Sequence, residues 1–381
     1  MTDPLNPVHN IQQPTDEELQ ELDGIDDADQ QPESGNTKFS PLTPKDAPKS
    51  QWRRWHLPVL LLFAVGTFLI LHKRNTPAPF QRDEGAIFGT FYHLTYQSHD
   101  NLKTDIEAEL QKVDNSLSMF NPQSTLSRIN RGEQAATDSL FQAVFRLAQQ
   151  VSATTDGAFD ITVAPLVNAW GFGFKNGSLP DSAAVDSLRG LVGWQRVNLD
   201  ADGLLTRDDP RIILDCSAVA KGFGVDVVAN YLRARGIINY MVEIGGEVVV
   251  SGTNPKGQPW HVGINKPVDD PESTSAELDT VLTLSNCAMA TSGNYRNFYT
   301  TEDGRREAHT IDPATGYPVQ HSILSATVLA PSCAEADAFA TAFMVMGLDR
   351  AKKVLQQHPE LQVYLICDSL GQNHVYSNLQ P

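Results

Sequence analysis

Cysteine is scarce in this chain. It occurs four times in 381 residues, at Cys216, Cys287, Cys333 and Cys367, and never in a CxxC pair. A chain of this length needs no disulfide framework. The four read as small buried hydrophobes, so they say little about compartment. Basic residues are also short: 29 Lys and Arg stand against 46 Asp and Glu, a net charge of −17. The basic face that nucleic-acid binding requires is missing, which excludes that class of partner. The acidic excess is concentrated at the start, where residues 1–50 hold 11 acidic and 3 basic side chains. Long apolar runs are absent apart from one, and no internal repeat is present.

What is there begins with the tail. Residues 1–50 are rich in Asp, Glu, Gln, Pro and Ser and poor in large apolar side chains. Such a stretch cannot bury enough surface to offset its ordering entropy, and it is expected to be disordered. The one apolar run, Leu57 to Leu71, follows Trp52-Arg53-Arg54-Trp55-His56 and ends at His72-Lys73-Arg74. No charge interrupts it. With its flanking residues it predicts a single transmembrane helix over 55–72, with tryptophans at the interface. A buried core helix is the alternative, but the run is apolar on every face and stands isolated between polar stretches. The run starts far from the N-terminus and no small-residue cleavage site or cysteine follows it, so an uncleaved segment is expected rather than a cleaved signal or a lipidated N-terminus. Lys49, Arg53 and Arg54 put the N-terminal side in the cytoplasm.

Residues 75–84 read as a linker and residues 85–381 as one folded domain. Helical spacing marks Ile106-Leu110-Val113-Leu117, Phe141-Val144-Phe145-Ala148-Val151 stopped by Gly157, Val225-Val228-Leu232, and Ala336-Ala340-Phe343-Met344 closed by Gly347. Strand patterns cover Arg211–Asp215, Tyr240–Val250, Trp260–Asn265, Val281–Leu284, Ser325–Ala330 and Gln362–Cys367. Several strands follow one another without a helix between them. Antiparallel pairing and an α+β domain are therefore expected, rather than a doubly wound sheet.

Five segments carry chemistry. Asp215 to Asp226 (DCSAVAKGFGVD) opens a helix with small residues and a lysine. Free N–H groups, a positive dipole end and Lys221 suit phosphate, although an ordinary turn with a surface lysine has the same composition. Glu243-Ile244-Gly245-Gly246-Glu247 interrupts a strand pattern with a paired glycine, as a bulge or a close backbone approach does. Ala290 to Arg296 (ATSGNYR) reads as a polar turn, a hairpin or a phosphate-facing loop. His309 precedes a turn rich in proline and glycine, through Asp312 to Pro318; a near-neutral pKa suits His309 to general-base work as much as to a structural role. Asp337 and Thr341, four apart, share a helix face. A carboxylate and a hydroxyl suit Mg²⁺ better than Zn²⁺; as a bare pair they also fit an acidic helix start.

In this order the segments resemble the ApbE family of FAD:protein FMN transferases, from about Phe88 to about Cys367. The resemblance is also carried by Phe88-Gly89-Thr90-Phe91, Ser118 to Pro122, Gly157 to Val167 and Trp170 to Gly173. It implies an ApbE-like, T-fold-like domain with antiparallel-rich sheets flanked by helices, behind the transmembrane helix. It implies Mg²⁺ held by the Asp337 and Thr341 side chains and the Ala218 carbonyl. FAD would be the substrate, with Asp215 and Lys221 near its phosphates and ribose. Phe88, Phe120, Ala158, Phe159 and Asp160 would line the flavin or adenine sites, and Ile311 would contribute backbone. His309, or Asp312 through a water, would do the acid–base work. The implied reaction moves FMN from FAD to a threonine of an acceptor flavoprotein and releases AMP, at a bacterial inner membrane with the catalytic domain in the periplasm. Two rivals stand beside it: a Mg²⁺-dependent FAD pyrophosphatase, which the same residues would serve, and a non-catalytic FAD-binding membrane protein, against which Asp337, Thr341 and His309 argue. The chain departs from the family at Phe88, where Met is frequent, at Cys216, where Leu is common, and at Ala340, where some members place a second Asp. That last change makes a second metal less expected.

Overall fold

A computed structural model of the chain describes residues 56–75, 77–133, 136–173, 179–267, 277–293, 298–300, 306–320, 322–369 and 372–379. The acidic tail over 1–50 lies outside the described residues. The chain divides into two compact units, Met1–Asn75 and Thr76–Pro381.

In the first unit the apolar run forms helix α1 (His56–Asn75). Its apolar stretch, Leu57 to Leu71, reaches about 22 Å at 1.5 Å per residue, against about 30 Å for a bilayer core. Among the described residues no helix is long and apolar enough to cross a membrane, so the expected anchor over 55–72 is not supported.

The second unit opens with β1 (Phe80–Ile87) and β2 (Thr90–Gln97), then the helices α2 (Lys103–Leu117), α3 (Thr125–Asn130), α4 (Ser139–Thr154), α5 (Ala164–Ala169) and α6 (Ser182–Arg189). A short hairpin, β3 (Val197–Leu199) and β4 (Leu205–Arg207), precedes α7 (Ser217–Ala234). Then come β5 (Tyr240–Ile244), β6 (Glu247–Ser251), β7 (Trp260–Asn265), β8 (Leu278–Leu284), β9 (Cys287–Gly293), β10 (Phe298–Thr300), β11 (Arg306–Ala308) and β12 (Ile323–Ala330). Helix α8 (Cys333–Gln357), β13 (Gln362–Ser369) and β14 (Gln372–Ser377) close the unit.

Eight strands form one sheet in the order β1-β2-β5-β6-β9-β12-β13-β14. Every pairing in it is antiparallel, as expected. Helices α7 and α8 pack on each other and on the central strands, and α2 packs on α7. The ribbon β7–β8 brings Trp260, Val262 and Leu284 onto the opposite side, against Val248, Val250 and Met289. Strand β6 is thus buried on both faces, with Val249 turned to the cluster that holds α7's Val225 and Val228.

The local chemistry explains the elements. Asp138 caps α4 by accepting from the Leu140 and Phe141 N–H groups, and Phe141, Val144, Phe145, Ala148 and Val151 form its buried stripe. Gly157, at φ 73°, turns the chain after it.

Several expectations change. The stretch 75–84, read as a linker, contributes the start of β1, because Phe80 to Glu84 pair in register with β2. Arg211–Asp215 is not a strand: the Asn130 side chain bonds both the N–H and the carbonyl of Leu214. Tyr240–Val250 is two strands, since Gly245 and Gly246 at φ 61° and 104° make a turn rather than a bulge. Ala290–Gly293 belong to β9, paired with β12, instead of a polar turn, while Asn294 to Arg296 lie outside the described residues. Gly347 (φ 72°, ψ 173°) leaves helical geometry and ends the first helix of α8 as expected, but a second helix follows it directly. All four cysteines are free, three of them buried and Cys287 half-buried.

Candidate active site

The site begins where two helices meet. Gly222 lies in the second turn of α7; a Cβ there would fall 2.3 Å from the Cys333 carbonyl oxygen, so only glycine permits this approach of α8. Asp226, one turn further along, accepts from the Cys333 and Ala334 N–H groups at 2.9 and 2.8 Å. It therefore caps α8 from a neighbouring helix, beside the N-cap Ser332. Burial pushes its pKa up to about 6, although the two N–H groups pull it down.

This docking fixes Asp337. Its Oδ2 accepts from the Gly222 N–H at 3.1 Å, and the residue is 2% exposed. Among the described residues no hydrogen bond reaches its Oδ1. Thr341, one turn on, meets Ser292 of β9, Oγ1 to Oγ 3.2 Å. Lys221 lies between two carboxylates, with Nζ 2.9 Å from Glu247 Oε1 and 3.6 Å from Asp337 Oδ2. Burial opposes the Lys221 charge, but Asp337 and Glu247 outweigh it and push its pKa up. Burial pushes the pKa of Glu247, 2% exposed, up against the pull of Lys221. One ammonium thus faces two buried carboxylates, a local excess of negative charge.

These groups open onto a cavity of about 1140 Å³. Asp215, Ala218 and Lys221 of the α7 entry line it, with Asp337 and Thr341 of α8. Phe120, Ala158, Phe159 and Asp160 form another part of the wall, and His309 and Ile311 a third. The structure brings all of these predicted residues together. Asp160 is held by its own turn: Oδ1 accepts from the Thr162 N–H and hydroxyl and Oδ2 from the Trp194 N–H, while burial raises its pKa. Asp215, also raised by burial, accepts from the Ser217 N–H at 2.7 Å.

The loop bearing His309 is cross-braced. Ile311 bridges to Pro318, the Val319 N–H donates to the Thr310 carbonyl, and Trp170 Nε1 donates to the Gly316 carbonyl at 2.8 Å. The His309 ring meets Phe172 edge-on at 6.3 Å between centroids.

Two predicted residues do not line the cavity. Phe88, at φ 52°, packs against both main core clusters and over Gly224. Asp312 holds the loop instead, its Oδ1 accepting from the Ala314 N–H and its N–H donating to the Tyr317 carbonyl. The cavity also has walls absent from the sequence-based set: Glu247, Ser292, and the β7 face from His261 to Asn265. Glu247 had a signal in the glycine pair before it. Ser292 stood in a segment read as a turn.

The donors at Asp337, Thr341 and Ala218 are all oxygen, which suits a hard cation such as Mg²⁺ better than zinc. Among the described residues no three His, Cys, Asp or Glu side chains cluster as a metal site. A cation here would complete its shell with phosphate or water. The open Asp337 Oδ1 and the excess of negative charge fit such an ion.

The model of the ApbE family matches residues 88–365. The FAD:protein FMN transferase of Vibrio cholerae is 37% identical over 315 residues, 79% of this chain and 92% of that protein. That of Haemophilus influenzae is 39% identical over 298 residues, 74% and 85% of the two chains. Among solved structures, the flavin transferase ApbE from Vibrio cholerae aligns with a TM-score of 0.71 at 36% identity, covering 79% of this chain and 97% of that one. The apo flavinyl transferase ApbE of Pseudomonas stutzeri gives 0.69 at 30% identity, with 80% and 96% covered.

Proposed function

The chain belongs to the ApbE family and is a FAD:protein FMN transferase, and from that premise we propose a Mg²⁺-dependent reaction that moves FMN from FAD to a threonine hydroxyl of an acceptor flavoprotein and releases AMP. The observation that carries the reading is the pairing of Asp337 and Thr341 with Lys221 on one cavity wall. The cavity, about 1140 Å³, exceeds the usual 300–1,000 Å³ range and has room for a dinucleotide.

Asp337, Thr341 and the Ala218 carbonyl would hold the cation. Bound there, Mg²⁺ would withdraw charge from the pyrophosphate and make its phosphorus more electrophilic. Lys221 faces the same phosphates and neutralises charge that grows on the departing AMP. The opening of α7 turns its positive dipole end to that anion. Asp215, Phe120 and the Ala158-Phe159-Asp160 wall seat the nucleotide. His309, held by its braced loop, takes the threonine proton as the oxygen attacks the FMN-side phosphorus. Asp312 keeps that loop in shape.

Asp337→Ala is expected to abolish Mg²⁺-dependent FMN attachment, a loss of at least the 10²–10³-fold typical of one charge-stabilising group. Incubation with FAD, Mg²⁺ and a threonine-containing acceptor peptide, read by mass spectrometry, checks it. A peptide heavier by FMN supports the transferase; free FMN with AMP and an unmodified peptide identifies a hydrolase. Full activity in the variant removes Asp337 from the cation site.

A further inference from the structure

Glu247 is an expensive residue to bury. Its Oε1 accepts from Lys221 at 2.9 Å, while Oε2 is enclosed with no hydrogen-bond partner among the described residues. Burying a half-satisfied carboxylate is unfavourable, so its presence calls for a physical reason. Packing does not supply one. The next three positions of β6 are Val248, Val249 and Val250, and an apolar side chain would fill the space without the penalty.

What Glu247 touches is Lys221. The 2.9 Å separation is that of a charge-assisted hydrogen bond, whereas the 3.6 Å separation from Asp337 Oδ2 is a looser ion pair without one. The Gly222 N–H already occupies that Oδ2. Among the described residues, Glu247 is the group that draws the ammonium away from it. A lysine in contact with Asp337 would neutralise its carboxylate and compete with any cation for it.

We propose that Glu247 is a positioning residue for the cation site: it keeps the Lys221 ammonium from closing to a hydrogen bond on Asp337 and leaves that carboxylate's Oδ1 open to a divalent cation. The inference rests on Asp337 being a cation ligand. It assigns Glu247 no contact with the cation, only with the lysine that would otherwise displace it.

The test is Mn²⁺ binding to the full chain without FAD, with free Mn²⁺ read by electron paramagnetic resonance. Glu247→Gln is expected to raise the Mn²⁺ Kd tenfold or more. Made in a Lys221→Met background, the same substitution is expected to change Kd less than twofold, because no ammonium remains to close on Asp337. An unchanged Kd in Glu247→Gln overturns the inference. Equal weakening in both backgrounds also overturns it, since Glu247 would then act through its own charge. Wild-type Mn²⁺ binding by Asp337→Ala would instead overturn the cation reading itself; loss of binding there with an unaffected Glu247→Gln overturns only the role of Glu247. Melting curves in metal-free buffer check the fold. Should Glu247→Gln not fold, Glu247→Asp replaces it: the shorter side chain keeps the charge but withdraws it from Lys221, weaker Mn²⁺ binding is expected, and wild-type binding overturns the proposal.

Discussion

Asp226 joins the two helices of the site through one carboxylate, and its environment makes a prediction about pH. The folded chain holds its proton up to about pH 6, whereas the unfolded value is near 3.8. A carboxyl with a raised folded pKa contributes stability that is fully present below the unfolded pKa and lost as pH rises through the folded one. Over about pH 4–6 the wild type should therefore lose on the order of 3 kcal/mol from this group, at about 1.4 kcal/mol per unit. Asp226→Asn should flatten that part of the profile, measured by urea unfolding at stepped pH. A variant with the same slope as wild type would show that the two N–H groups, rather than burial, govern this carboxyl. Residues of this kind differ in how visible they are in sequence. Asp337 and Thr341 declare themselves by a spacing of four on a helical pattern. Glu247 does not, because its meaning depends on Lys221, which lies on α7 while Glu247 lies on β6.

At the scale of elements, the site depends on how closely α7 and α8 approach. Gly222→Ala would put a Cβ 2.3 Å from the Cys333 carbonyl oxygen and 2.9 Å from the Ala334 nitrogen, both backbone. Backbone cannot rotate away, so the helices must separate, at about 3 kcal/mol or more. Activity should fall with it, since the Gly222 N–H holds Asp337. Gly224→Ala meets the edge of the Phe88 ring at 2.5 Å, a side chain able to shift, and should cost about 1 kcal/mol. Thermal unfolding and FMN transfer on the pair check this ordering; equal effects would remove the helix approach as the cause. Element identity was largely legible, through the stripes of α2, α4, α7 and α8 and the strand-forming runs of β7, β12 and β13. Element ends were less so. Gly347 interrupts the periodicity of α8 as a helix stop does, yet α8 resumes beyond it and runs to Gln357, burying Ala351, Val354 and Leu355. The apolar run of α1 has the composition of an anchor but, from Leu57 to Leu71, not the reach of one.

Over the whole catalytic unit, the walls of the cavity come from segments far apart in sequence: Phe120, the turn at Asp160, the start of α7, β7, β9, the His309 loop and α8. A ligand filling it binds the folded state alone and should stabilise it by mass action. With FAD and Mg²⁺ each at 100 times its Kd, unfolding should require about 2.7 kcal/mol more for each ligand. Asp337→Ala should keep an increment from FAD alone and lose the part that depends on Mg²⁺. Calorimetry with and without EDTA measures this, and a Mg²⁺ increment that survives in the variant would place the cation elsewhere.

The sequence by itself determined the class of the domain, the helices and most strands, and the family, because periodicity and ordered short motifs are local properties that need no neighbour to be read. It also picked out the carboxylate and hydroxyl of α8, the lysine of α7 and the histidine loop. Tertiary structure alone decided that Phe88 and Asp312 support the site from outside the cavity. It alone decided that Gly222 lets two helices touch, that Asp226 caps α8 from α7, and that Glu247 shares an ammonium with Asp337. Apart from the local bonds of Asp312, each of these is a contact between distant segments, and its energy exists only once the chain has folded.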